Sequence, residues 1–364
     1  MNARFLASPT NSWYMARLFV MRTAAVLAAL VVILQTLDLL GESGDILAYP
    51  GNGDAQLWYY VSLRVPQITA RFLPFSVLLG ALITLVTLNQ NSEIIAMKAA
   101  GVSAHQILAP LIAASLAVAG ISFWFNDHVL SRATATLSAW QAVQYGPVPA
   151  SRGVTADVWV RDGDDLIHVA QARGRGRATV LSDVTYYDRQ GGRLVALVHA
   201  DRAVPADGGW RMTGVRRFDV AANRVTATAS VTLGSDIAPD RFTLAAVNGE
   251  ALSFRALSDA IHDLKAAGRP TGPLEAALWH KLSGPLSTVL MPLLASVAGF
   301  GLARSGRLFV RAVTGMGLGF AYFVADNFGL AMGNLGAYPP LLAAWAPFFL
   351  FLLIGEAVLI RTEE

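Results

Sequence analysis

Apolar positions along the chain fall into two regimes. Through residues 15–126, and again through 282–360, they run in long stretches with few charges; through about 131–247 they alternate with polar positions in short, glycine-punctuated runs. A helix needs roughly 20 apolar residues to cross a hydrocarbon layer about 30 Å thick, whereas period-two alternation marks strands with one face inside. The first regime yields six expected spans, at residues 15–40, 72–91, 106–126, 282–303, 308–332 and 340–360. The second yields strands. VTADVWV (154–160) and DLIHVAQA (165–172) flank Asp162-Gly163 as a hairpin, and TVLSDVTYYD, RLVALVHADRAV, WRMTGVRRFDV and RVTATASVTL follow. Strands without intervening helices imply a sandwich or jelly roll.

The expected fold is therefore a six-helix membrane protein with a β-jellyroll-like domain inserted between helices three and four. It divides into 1–130 (spans one to three), 131–250 (the β domain), 251–273 (an amphipathic connector with Leu257, Ile261 and Leu264 on one face) and 274–364 (spans four to six).

Composition strengthens the membrane reading: 54% of the 364 residues are hydrophobic, 15% are charged, and mean hydropathy is +0.47. The net charge of +3 points to no nucleic-acid partner, and the absence of cysteine removes disulfides, thiol nucleophiles and thiolate metal sites. A cleavable leader fits poorly, because the first apolar stretch is long and lacks a small-x-small site. Charge placement orients the chain. Arg4, Arg17, Arg22, Lys98, Arg304, Arg307, Arg311 and Arg361 flank one face, while the 41–63 loop holds Glu42, Asp45 and Asp54 without Lys or Arg. By the positive-inside rule both termini are cytoplasmic and the β domain is external.

Between spans two and three lies NSEIIAMKAAGVSA, residues 91–104. It reads as a short docking helix. Asn91 or Ser92 can cap it, Glu93 suits its first turn, Lys98 suits its last, and Gly101 can close it. Ala96, Ala99 and Ala100 permit close approach, and Ile94, Ile95 and Met97 supply apolar anchors for a partner's groove. An ordinary solvated turn helix is the alternative.

Chemistry is sparse. No G-x-x-x-x-G-K-[ST] occurs, so any ATP, with its magnesium, is used by another subunit and this chain holds no cofactor. Gly299-Phe300-Gly301 ends a membrane span rather than a strand, and reads as small-residue packing. The histidines have no H-x-x-x-H spacing, so no metal is assigned, and Asp162, Asp164 and Asp165 read as a hairpin turn rather than a cation loop. Ionisable residues inside spans cost at least ~2.5 kcal/mol each, which singles out Asp326 and Glu356. Lys281 and Trp279 at the start of span four, with Arg132 beyond span three, either anchor the interface or meet an anionic lipid headgroup. Gly315, Gly317 and Gly319, then Gly329 and Gly333, permit close helix contact, either within the chain or with a second membrane subunit.

The docking segment N-S-E-I-I-A-M-K-A-A-G-V-S resembles that of the LptF/LptG permeases of the lipopolysaccharide-export ABC transporter. So do P-F-S-V-L-L-G-A-L (74–82), L-W-H-K-L-S-G-P-L (278–286) and the order of three spans, β domain, three spans. D-L-L-G-E-S-G-D-I (38–46) is closer to the LptG branch. The resemblance implies a cytoplasmic ATPase dimer, a homologous second permease, a single-span partner with its own periplasmic β-jellyroll, and lipopolysaccharide as cargo entering between spans one and five. It implies residence in a bacterial inner membrane and a part in outer-membrane biogenesis. Under it Ser92, Glu93, Ile94, Met97, Lys98 and Gly101 couple to the ATPase, with Glu93 as the coupling acid; Arg132, Lys281 and Trp279 meet lipid; Gly315, Gly319, Gly329 and Gly333 pack helices. Family members often carry Lys in outer span one, where this chain has Gln35 and Asp38. A sensor lacks a cytoplasmic output module here, and an intramembrane lipid-modifying enzyme lacks clustered acids or bases. A permease for another lipid or lipoprotein is the remaining alternative.

Overall fold

The structure, a computed structural model, describes residues 9–147, 154–174, 178–206, 209–233, 242, 249–266, 270–299 and 308–363. Arg4, Arg304, Arg307 and the side chain of Arg311 lie outside the described residues. The chain divides into a helical unit (Met1–Gly44, Asp54–Thr134, Gly249–Glu364) and a sheet unit (Asp45–Gly53, Ala135–Asn248).

Nine α-helices are described: α1 (Pro9–Ala48), α2 (Asp54–Gln90), α3 (Glu93–Ala99), α4 (Ala104–Phe125), α5 (Ser131–Ala142), α6 (Phe254–Ala266), α7 (Gly272–Gly299), α8 (Leu308–Asn334) and α9 (Pro340–Glu363). Among the described residues α1, α2, the Ala104–Ala142 run and α9 are long and apolar enough to cross a membrane. The stretches expected as spans four and five are the helices α7 and α8.

Several helices outrun their apolar stretches. α1 and α2 have 40 and 37 residues, about 60 and 55 Å at 1.5 Å per residue, well beyond the hydrocarbon thickness. The helix of the third stretch does not end at Asn126: a π-helical turn, Asn126–Leu130, carries it into α5. SRATATLSAWQA contains neither Gly nor Pro, so apolarity ends there without ending the helix.

The helical core is centred on α7, which packs against α2, α4, α8 and α9. Leu290, Met291, Leu293 and Leu294 are buried with Leu78, Leu82 and Leu85 of α2 and Leu108 and Leu111 of α4. Three hydroxyls in this apolar setting bond to their own helix: Thr84 to Gly80 O at 2.7 Å, Ser287 to Gly284 O at 2.6 Å and Ser296 to Leu293 O at 2.6 Å. The 74–82 motif has a packing reason at Gly80, where an added Cβ would run into both backbone and hydroxyl of Thr23 on α1. The amphipathic connector is α6, with Leu257, Ala260, Ile261 and Leu264 buried along one face.

Six strands form the sheet: β1 (Val154–Asp162), β2 (Asp165–Arg173), β3 (Val180–Gln190), β4 (Arg193–Ala206), β5 (Gly209–Asp219) and β6 (Arg224–Leu233). They pair antiparallel in chain order. A sandwich or jelly roll implies two layers, whereas the described strands make one sheet. The β1–β2 hairpin turns where expected, with Asp162 opposite Asp165. The turn carboxylates are engaged locally: Asp164 accepts Gly192 N–H at 3.0 Å, and Asp165 accepts Arg189 N–H at 2.6 Å and the Tyr186 hydroxyl at 2.5 Å. Burial first, and then the Asp165 carboxylate, hold the Tyr186 phenol above its ordinary pKa.

Alternation is interrupted along a line that crosses the sheet. Buried positions run 167, 169, then 172 on β2; 181, then 184 on β3; 198, 200, then 203 on β4; 210, 212, then 215 on β5. Residue pairing skips Ala170, Asp183, Asp201 and Gly214 along the same line. Asp183 and Gly214 have φ of 53° and 68°, in the left-handed region. Left-handed residues turn the next side chain to the other face, so β3 and β5 change which parity is inside and the sheet creases.

Candidate functional site

The docking segment is a helix, built differently from its expected caps. Ser92 has φ 63° and its hydroxyl makes no cap bond; Asn91 instead donates its side-chain N–H to Glu93 Oε1 at 3.4 Å. The C-terminus is stronger. Gly101 N–H donates to Lys98 O at 2.9 Å and Val102 N–H to Met97 O at 3.0 Å, a Schellman closure that needs the left-handed φ of 82° found at Gly101. Two residues later Ser103 and Gln106 form a reciprocal capping box that starts α4. The turn from α3 into α4 is thus defined on both of its sides.

Its faces are sorted. Ile94 is 2% exposed and belongs to the helical core, so it holds α3 to its own chain and is closed to a partner. Met97 is half-buried, with its sulfur accepting Asn11 Nδ2 at 3.1 Å. Ile95 is 46% exposed beside exposed Ala96, Ala99 and Ala100, while Glu93 and Lys98 are partly exposed. The surface offered outward is a small apolar ridge flanked by an acid and a base.

Polar groups of different apolar helices pair. His280 Nε2 on α7 lies 3.1 Å from Asp326 Oδ2 on α8. His105 on α4 lies 3.4 Å from Glu356 on α9. Near the far ends of α1 and α2, Asp38 binds Arg64 at 2.7 Å and accepts the Tyr60 hydroxyl at 2.7 Å. None of these pairs has local spacing, and sequence reasoning found Asp326 and Glu356 without their partners and missed Arg64 altogether.

The expected lipid-facing residues are not alike. Arg132 is exposed on α5, Trp279 is 38% exposed on α7, and Lys281 is half-buried where the carboxylates of Asp127 and Glu250 act on its charge. Asp127 is itself a structural acceptor in the π turn, taking Phe254 N–H at 2.5 Å and so capping α6. Before the apolar part of α7, Glu275 accepts the Thr271 hydroxyl and pairs with Lys265 at 3.0 Å; chiefly the first contact holds its carboxyl below the ordinary 4.5.

The glycines of α8 meet the chain's own helices. Gly315 faces Leu82 and Leu294, Gly319 faces Leu78, and Gly329 and Gly333 face Ala343 of α9, whereas Gly317 faces open space. Outward, α8 presents Val313, Phe320, Val324 and Phe328, and α1 presents Val20, Val32, Ile33 and Leu37.

Comparison with known proteins gives the same match from end to end. The family model for lipopolysaccharide export system permease LptF/LptG covers residues 13–361. The lipopolysaccharide export system permease protein LptG of Escherichia coli strain K12 is 26% identical over 347 residues, 94% of each chain. The protein of that name from Haemophilus influenzae is 25% identical over 325 residues, 86% of this chain and 89% of its own.

Proposed function

The chain belongs to the LptF/LptG family of lipopolysaccharide export permeases, and on that footing we propose that it is a membrane subunit that moves lipopolysaccharide out of a bacterial inner membrane, with a separate ATPase supplying the work. The observation that carries this reading is the family match over 13–361, which runs through helices and sheet alike. The chain performs no bond chemistry; its task is to transmit motion. In this reading α3 is the coupling helix on the cytoplasmic side, and Glu93 with the Ile95 ridge docks on an ATPase dimer. α1, α2, α4, α7, α8 and α9 are the six spans, the termini are cytoplasmic, and the sheet is a periplasmic jellyroll-like domain. ATP-driven closure shifts α3, and the packed helices carry that shift outward.

Two further features support parts of the assembly. The outward apolar faces of α1 and α8 suit a second permease, with the lipid entering between them. β6, the last strand of the described sheet, is exposed through residues 224–232, including Val225 at 64%, and suits pairing with the β-jellyroll of a single-span partner. Arg132, exposed on α5, with Trp279 and Lys281 on α7, meets the anionic headgroup in this reading. Purification of the tagged chain from native membranes, with identification of its subunits and bound lipid, tests the proposal. Co-purification of an ATPase, a second permease and lipopolysaccharide is expected; a different lipid or a lipoprotein in their place would overturn the cargo assignment.

A further inference from the structure

We propose that the polar face of the sheet carries a binding site for a phosphate group, formed by Arg173 on β2, Ser182 on β3 and Arg202 on β4. A recess of about 360 Å³ opens there, walled by Arg173, Gly174, Ala178, Val180, Ser182 and Arg202. This is the small end of the roughly 300–1,000 Å³ range of ligand pockets, room for a phosphate and part of an attached sugar.

Strand register makes the three residues neighbours on one face. Ser182 stands directly opposite Arg202, and opposite Gln171 on its other side, while Arg173 pairs with Val180. Arg173 is thus the diagonal neighbour of Ser182, about 7–8 Å away at the backbone, within the reach of a long side chain. All three lie on the face opposite the buried positions 172, 181 and 203, because the crease has already changed the inward parity. Two arginines and a hydroxyl from three strands therefore line the same recess.

Among the described residues neither guanidinium is paired with an acid. Arg173 gives one N–H to Gln171 Oε1 at 2.9 Å, leaving the rest of its fork available. The acids next in sequence, Asp183 and Asp201, lie instead beside His199, at 3.5 and 3.9 Å. Planar forks bind phosphate oxygens bidentately, and a dianion gains from two cations where a carboxylate fills only one fork. Arg175 and Arg177 fall outside the described residues.

The phosphate can come from two sources, the phosphorylated sugar headgroup of a glycolipid or free phosphate. Titration of the full chain in detergent, followed by ³¹P NMR and calorimetry, separates them, with inorganic phosphate, glucosamine 6-phosphate and unphosphorylated glucosamine as probes. Saturable binding of the phosphorylated probes that weakens with salt is expected, with glucosamine 6-phosphate tighter if a headgroup is the ligand and the two equal if free phosphate is. Arg173→Gln and Arg202→Gln should each weaken binding about fivefold or more, and Ser182→Ala about twofold. These side chains are at the surface, so thermal unfolding of the variants should match the parent. Absence of phosphate binding, equal binding of unphosphorylated glucosamine, or unchanged binding in the double arginine variant would overturn the site. None of these readouts requires transport, so the site stands or falls apart from the export reading.

Discussion

Gly80 carries a contact that no other residue can make in this backbone. A Cβ there meets the Thr23 backbone as well as its hydroxyl, so the clash cannot be relieved by a rotamer change. Gly80→Ala should cost about 1–3 kcal/mol of stability, read as a lowered midpoint of thermal unfolding in detergent. Thr23→Ala should rescue little of this, because the backbone of residue 23 stays in place; full rescue would mean the hydroxyl alone sets the spacing. Ile94 teaches a related point. On sequence it belonged with Ile95 and Met97 as a set of anchors, since three apolar residues on a seven-residue helix carry no label for which face is already taken. The helical core takes Ile94, leaving Ile95 to face outward.

At the scale of elements, the exit of α3 and the start of α4 are both hydrogen-bonded, so a push on the exposed ridge of α3 is passed to α4 through a defined turn. Glu93→Arg should reduce co-purification of the ATPase and abolish lipid export while membrane insertion continues, measured by pull-down and by a reconstituted export assay. Unimpaired export would end its assignment as coupling acid. The corner between α6 and α7 depends on pH. Glu275 has a folded pKa below 4.5, so its stabilising contribution is complete above the unfolded value and disappears as pH falls through the lower folded one. Acid should therefore loosen this corner while neutral-to-alkaline change leaves it alone. Emission from Trp279, one turn along α7, reports the transition, and Glu275→Gln should remove it.

For the whole molecule, topology is open to a clean test because the chain contains no cysteine. Single cysteines at Gly53 and Leu335, both at helix junctions with room for a side chain, should react with an impermeant maleimide from the periplasmic side, and one at Ala100 should not. Labelling of Ala100→Cys from that side would reverse the orientation. The apolar runs, the strand run and the α6 stripe were legible in the residues because burial in lipid or in a core leaves a periodic imprint. Helix ends were not, since hydropathy records where the environment changes and α1, α2 and the run from α4 through the π turn into α5 continue beyond that point. Pairs such as His280 with Asp326 were also hidden, because helices packed side by side bring together positions with no spacing rule between them. The crease was hidden for a third reason: alternation was visible in every run, but a change of phase inside a run looks like ordinary irregularity until neighbouring strands are aligned.

That change of phase gives the sheet an alignment mark. In a uniformly alternating sheet, a strand sliding by two residues keeps its apolar side inward, and many near-equivalent arrangements compete. Here a two-residue slide of β3 would move Asp183 away from Asp201 and Gly214 and set one stretch of the strand facing the wrong way. The irregularity works like the notch in a key, making the mis-threaded sheets that a young chain samples distinguishable from the native one. A protein assembled at a membrane, with few chances to unfold and try again, gains most from such a mark.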